Sequence, residues 1–325
     1  MTLPRRAFLH LAASAAALPA ASRMARAQAY PSRPVRIVVG FPAGGATDIQ
    51  ARLMGQWLSE RLGQQFIIEN RAGASGNIGT EAVAKAPADG YTLLQIVTPN
   101  AINAALYTNL NFDFIRDIVP VIAAARLAYV VVVHPSVPAA TIPELIAYAK
   151  ANPGTIRMAS NGNGTTAHVA GELFKLMTGV EMVHVPYRGP EPALTDLLAG
   201  KVQVRFGIPL ESIEYIRAGK LPVLAVTTAV RSEVLPDIPT VGEFVPGYEA
   251  SAFFGLGAPK ETPVEIVDKL NTEINAGLAD PKMKARLADF ADVPMPMTPT
   301  EFGKLIADET EKWAKVIKSA GIKLD

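Results

Sequence analysis

The chain has 325 residues, of which 49% are hydrophobic, with four histidines, no cysteine and a formal net charge of +1. Lack of cysteine excludes disulfides, thiolate metal ligands and cysteine nucleophiles, and the balanced charge leaves no basic footprint for nucleic acid. Length and apolar content suffice for two domains of ordinary size.

At the start, Arg5-Arg6-Ala7-Phe8-Leu9 leads into an apolar run through Ala17 and a small-residue stretch ending Ala25-Arg26-Ala27. A basic start, an apolar middle and an A-x-A ending read as a secretory signal peptide over residues 1–27. The paired arginines before Phe and Leu resemble a twin-arginine signal. This segment holds four arginines and no acid, so losing it takes the net charge from +1 down by four to −3. The expected location is the periplasm, where a chain without cysteine avoids mispairing. The longest later apolar run, 119–133, contains Arg126 and is shorter than the roughly 20 residues needed to cross a membrane; its Val-rich end reads as a buried strand.

Strand and helix patterns then alternate: strand 35–39 and helix 49–62, strand 66–69 and helix 80–86, strand 91–97 and a short helix over 100–107. A second series follows, with strands 128–133, 155–159, 181–185, 202–206 and 221–227 and helices 142–151, 166–177 and 192–198. Such alternation predicts two α/β units with largely parallel sheets. The tail reads as strand 251–258 and helices 263–278, 281–290 and 299–319, and is expected to return to the first unit. The expected lobes are therefore 28–122 with 250–325, and 123–249.

Two loops carry the chemistry. Gly40-Phe41-Pro42-Ala43-Gly44-Gly45-Ala46-Thr47-Asp48 lies between the first strand and its helix, and Ser160-Asn161-Gly162-Asn163-Gly164-Thr165-Thr166-Ala167-His168 occupies the same place in the second unit. Glycines let backbone amides converge at a helix start, which makes an anion cup. Either loop alone is also ordinary turn chemistry; the pair, one per lobe, suits a single small anion gripped from both sides. The first loop lacks the Lys-Ser/Thr ending of a P-loop and the G-x-G-x-x-G spacing of a dinucleotide site, so a carboxylate fits better than a phosphate. Hydrogen bonds to a charged group contribute about 1.5–3 kcal/mol each, so a few reach the roughly −8 kcal/mol of micromolar affinity. Tyr187, in His184-Val185-Pro186-Tyr187-Arg188-Gly189-Pro190, and Thr98, in Thr98-Pro99-Asn100, are further candidates at strand ends. Tyr187 equally reads as packed on a neighbour, and Asp48 as a residue that caps or braces its helix.

Catalysis finds little support. There is no H-E-x-x-H or comparable metal spacing, and Gly73-Ala74-Ser75-Gly76-Asn77 misses the last glycine of a G-x-S-x-G elbow. Ser160 and His168 invite a nucleophile–base reading, but a helix start separates them and no third group stands out. No catalytic residue, cofactor or metal is expected.

The blocks YPSRPVRIVVGFPAGGATDIQAR from Tyr30, IIENRAGASGNIG from Ile67, ADGYTLL from Ala88, ASNGNGTTAHVAGELF from Ala159, VHVPYRGPEPALTDLLAGKV from Val183, LPDIPTVGEF from Leu235 and FGLGAPKETP from Phe254 resemble, in order and spacing, the substrate-binding proteins of tripartite tricarboxylate transporters, Bug type. The resemblance spans the chain beyond the signal segment. It implies a type II periplasmic-binding-protein fold, two α/β lobes with a ligand cleft between them that close by a hinge. It also implies a carboxylate held by Phe41, Ala43, Gly44, Gly45, Thr47 and Asp48 from one side and Ser160, Gly162, Gly164, Thr165 and Thr166 from the other. The implied protein is a monomer that delivers its ligand to a membrane permease. Alternatives are a sensor that presents ligand to a signalling partner, or an enzyme on the same scaffold. Many such proteins carry an acidic residue where this chain has Gly207-Ile208-Pro209, which argues against amino-acid ligands and suggests room for a larger or more apolar distal group.

Overall fold

The structure, a computed structural model, describes residues 30–232 and 235–323. The expected signal segment, 1–27, lies outside the described residues. In chain order the first part runs β1 (Val35–Val39), α1 (Ala46–Leu62), β2 (Phe66–Asn70), α2 (Asn77–Ala84), β3 (Thr92–Val97), α3 (Thr98–Leu106), α4 (Phe114–Asp117) and β4 (Ile118–Leu127). Next come β5 (Val130–Val133), α5 (Ile142–Ala151), β6 (Ile156–Ser160), α6 (Thr166–Thr178), β7 (Met182–Pro186), α7 (Pro190–Leu198), β8 (Val204–Gly207), α8 (Pro209–Arg217) and β9 (Val223–Val226). The tail is β10 (Ala252–Pro259), α9 (Val264–Ala279), α10 (Pro281–Asp289), β11 (Asp292–Pro294) and α11 (Pro299–Ala320).

These strands form two sheets, ordered β11-β4-β10-β3-β1-β2 and β7-β6-β8-β5-β9. The apolar runs are what strands covered on both faces require. In β1, Val35, Ile37 and Val39 pack with Met54 and Leu58 of α1, while Val38 faces Val83 of α2 on the other side. Helix ends are set locally: α1 and α6 both stop at a left-handed glycine, Gly63 and Gly179, each with φ 69°.

Three expectations change. The sheets are mixed rather than largely parallel, because β10 runs antiparallel to β3 and β4 and β5 runs antiparallel to β8 and β9; these are the strands on which the chain enters each sheet from the other. The apolar run 119–133 is divided between two strands, β4 in the first sheet and β5 in the second, with Ala128 and Tyr129 as the passage between them. The tail divides too. Its strands join the first sheet, but α11 buries Phe302 and Ile306 in a first-sheet core and Trp313, Val316 and Ile317 in the second-sheet core. Gly255 permits this course, since a Cβ there would stand 2.3 Å from the Ile122 carbonyl oxygen and 2.5 Å from the Phe302 ring.

The two passages between sheets are tied together at Thr227. Its N–H donates to the Tyr129 carbonyl at 2.9 Å, its carbonyl accepts from Ala250 N at 3.0 Å, and its hydroxyl accepts from Tyr129 N at 3.0 Å and donates to the Ala250 carbonyl at 2.7 Å. Nearby, Arg126 at the end of β4 pairs with Glu249 and donates to Ser251 Oγ at 2.8 Å.

Candidate ligand-binding site

Both glycine loops leave the C-terminal end of a parallel strand and enter a helix, 40–48 between β1 and α1 and 160–166 between β6 and α6. That is where open α/β sheets bind ligands. In the first loop Gly44 is exposed with φ 83°, a left-handed conformation that suits glycine. Its N–H donates to Asp48 Oδ2 at 2.9 Å. The buried Asp48 carboxylate also accepts from Arg52 Nε at 2.9 Å and Nη2 at 3.0 Å and from Asn70 Nδ2 at 2.9 Å, and Asn70 donates to the Phe41 carbonyl at 3.0 Å as well. Burial alone would raise the Asp48 carboxyl, but bonds from Arg52, Gly44 and Asn70 hold it below its ordinary value. Asp48 thus braces the loop with its charge compensated. The first bond inside α1 runs from Ile49 N to the Gly45 carbonyl at 3.0 Å, and Gly45 at the N-cap has no side chain to offer. The amides of Ala46 and Thr47 are left as the open end of the helix. Phe41 packs against Gly76, where a Cβ would lie 3.1 Å from its ring, while Ala43 and Gly45 are exposed.

The second loop is more enclosed. Ser160 is 0% exposed, with Oγ 2.6 Å from His184 Nε2 and accepting the Gly162 N–H at 3.2 Å. Thr165 caps α6: its Oγ1 accepts from His168 N at 3.4 Å and donates to the Gly162 carbonyl at 2.8 Å. Gly164, with φ 72°, donates its N–H to His168 Nδ1 at 3.1 Å. The His168 and His184 rings stack at 3.6 Å and 7°. Burial, then His184 and Lys175, push His168 down to about 3; burial, then Lys175, push His184 down to about 4. Both rings are neutral at physiological pH, which keeps His168 Nδ1 an acceptor for the loop. Thr166 is buried with its hydroxyl bonded to the Tyr129 phenol. The amides of Thr166 and Ala167 form the open start of α6.

Thr98 and Tyr187 are engaged within their own lobes. Thr98 Oγ1 accepts from Phe253 N at 2.8 Å, which ties α3 to β10. Tyr187 donates to Asp196 Oδ2 at 2.8 Å, and burial with that bond raises its hydroxyl to about 12. A serine–histidine contact does exist, but its partner is His184 rather than His168. A fully buried Ser160 beside a ring held near pH 4 is poorly suited to attack a substrate.

Sequence reasoning missed Arg205, in β8 next to the second loop. Arg205 is 0% exposed, donates from Nη2 to Asn161 Oδ1 at 3.0 Å and pairs with Glu211 in the first turn of α8. The space expected above Gly207 is therefore filled: a Cβ there would stand 2.6 Å from Arg205 Nη1. Residues 205 and 207 share a face of the strand, and the lone cation in Val-Gln-Val-Arg-Phe-Gly was the available signal. Between the lobes, Ala46, Ile49 and Gln50 of α1 face Ile208 and Leu210 across a cavity of about 10 Å3 that also meets Phe254 and Asp292, about the room of one water. A larger depression of about 520 Å3 lies away from both loops, around Trp57 and Arg286. Among the described residues no cluster of His, Asp and Glu could hold a metal ion, and no helix is long and apolar enough to cross a membrane.

A family profile described as Tripartite tricarboxylate transporter family receptor, TctC, matches residues 50–322. Protein BugT of Bordetella pertussis is 38% identical over 301 residues, covering 92% of this chain and 92% of the relative. Among solved structures, R. palustris Rpa4515 with adipate is 40% identical with a TM-score of 0.81, covering 90% of this chain and 99% of that one. MatC from Rhodopseudomonas palustris with bound malate is 30% identical with a TM-score of 0.76, covering 89% and 100%. The two-lobed α/β fold is that of these periplasmic binding proteins, and the chain belongs to the tripartite tricarboxylate transporter receptor family.

Proposed function

We propose that this chain is a periplasmic receptor that closes its two lobes on a small carboxylate and delivers it, chemically unchanged, to a membrane permease. The observation that carries this reading is the pair of helix starts, α1 on one sheet and α6 on the other, each following a parallel strand and each leaving its first amides open. Partial positive charge at such starts favours an anion. The ligand carboxylate sits between the amides around Ala43, Gly45 and Thr47 and those around Gly162, Thr165 and Thr166. Gly44, Gly164 and Ser160 shape the loops through their own internal bonds. Adipate and malate, the acids named with the related structures, are the kind of ligand to try first.

The test is mass spectrometry of small molecules released from protein purified without refolding, followed by calorimetry with each acid recovered. An organic acid that rebinds and is recovered intact is the expected result. Release of no acid, together with no heat from any mono- or dicarboxylate, or conversion of the added acid to a product, would overturn the reading.

A further inference from the structure

We infer that Arg205 is a second anion-binding point beside the second loop, and that the ligand is a dicarboxylate whose distal carboxylate it receives. The inference rests on the receptor reading above and adds the chemical class of the ligand's far end.

Arg205 is 0% exposed, in a strand whose other members are Val204, Phe206 and Gly207. A guanidinium carries five N–H donors and cannot shed its charge. Nη2 is occupied by Asn161 and Glu211, but Nε and Nη1 are buried with no acceptor. One N–H on Nε and two on Nη1 are thus left over from the five. Buried donors of a charged group without partners are costly, and native structures retain few without a reason. Ser212, next to Glu211, adds a second signal, for its Oγ is also buried without a partner.

The position of the guanidinium connects it to the site. Asn161 belongs to the glycine loop that opens α6, so the cation stands behind the same loop whose amides take the proximal carboxylate. Backbone at 207 makes way for it, because any side chain there would collide with Nη1. Glu211 supplies one internal carboxylate to a group with donors to spare. A carboxylate from the ligand supplies the missing acceptors, whereas an apolar tail would leave them buried and bare.

The experiment is calorimetry of the full chain with matched acids: succinate against butyrate, glutarate against pentanoate, and adipate against hexanoate. In the wild-type protein at least one dicarboxylate is expected to bind about tenfold or more tighter than its monocarboxylate match, a difference of about 1.4 kcal/mol. Arg205→Gln should erase that preference by weakening the dicarboxylate while monocarboxylate affinity stays within about threefold. Glu211→Gln removes the internal competitor, keeps Arg205, and should tighten the dicarboxylate; it carries the test should Arg205→Gln fold poorly. Equal loss for both acid classes in Arg205→Gln, an undiminished dicarboxylate preference in that variant, or no tightening in Glu211→Gln would overturn the assignment. If monocarboxylates bind wild type and the preference ignores Arg205, only this inference fails. If neither class binds wild type, the receptor reading fails and takes this one with it.

Discussion

Gly44 and Gly164 hold the same left-handed backbone in the two loops, yet a side chain at each would meet different surroundings. Around Gly44 a Cβ finds nothing within 4 Å, whereas at Gly164 it would stand 2.5 Å from Leu106 Cδ2. Gly44→Val should therefore abolish carboxylate binding by calorimetry with little change in melting temperature, because the strain falls on an exposed turn. Gly164→Val should abolish binding and also destabilise the fold by about 1–3 kcal/mol through overpacking against α3; wild-type affinity in both would move the site elsewhere. Asp292 offers a pH test. Gln50 donates to its Oδ2, its Oδ1 is bare, and burial pushes the carboxyl from 3.8 up to about 8. A raised carboxyl binds its proton more tightly folded than unfolded, so the stability it contributes is complete below pH 3.8 and is lost progressively as pH rises to about 8. Thermal melts of Asp292→Asn should gain on wild type across that interval, and a pH-independent difference would contradict the assignment. At this scale the glycine loops were readable from sequence because helix starts and left-handed turns are local. Arg205 was not, since one cation in a short apolar strand does not reveal whether it faces solvent or a buried loop.

Among the elements, strand–helix alternation located most of the architecture, and its misses have physical causes. The split of 119–133 into β4 and β5 is hidden because both halves are apolar and the passage at Ala128 and Tyr129 contains neither proline nor glycine. Helix α8 begins two residues beyond β8, at Pro209, too close for a separate turn signal to precede it, and the three-residue β11 has no periodicity to read. The passages themselves depend on Thr227, whose buried hydroxyl serves Tyr129 N and the Ala250 carbonyl together. Thr227→Val keeps the shape and strands both groups, so urea unfolding should show a loss of about 1–3 kcal/mol. An unchanged midpoint would mean that the passages are held by packing alone.

For the whole molecule, three segments join the lobes: the two passages that meet at Thr227, and α11, which is anchored in both cores by Phe302 at one end and Trp313 at the other. Motion between lobes must pivot about this shared edge, which carries the α1 and α6 starts toward or away from each other. Such hinge closure around a ligand needs only a few residues to change conformation. A ligand that binds only the folded protein should raise its stability by about 2.7 kcal/mol at a hundredfold excess over Kd, whichever acid it is. Where the acid sits is the sharper question. A crystal structure grown with adipate answers it most directly: the expected density has one carboxylate with its oxygens about 3 Å from amides at the starts of both α1 and α6, and a carboxylate lying away from both helix starts would contradict the proposed site.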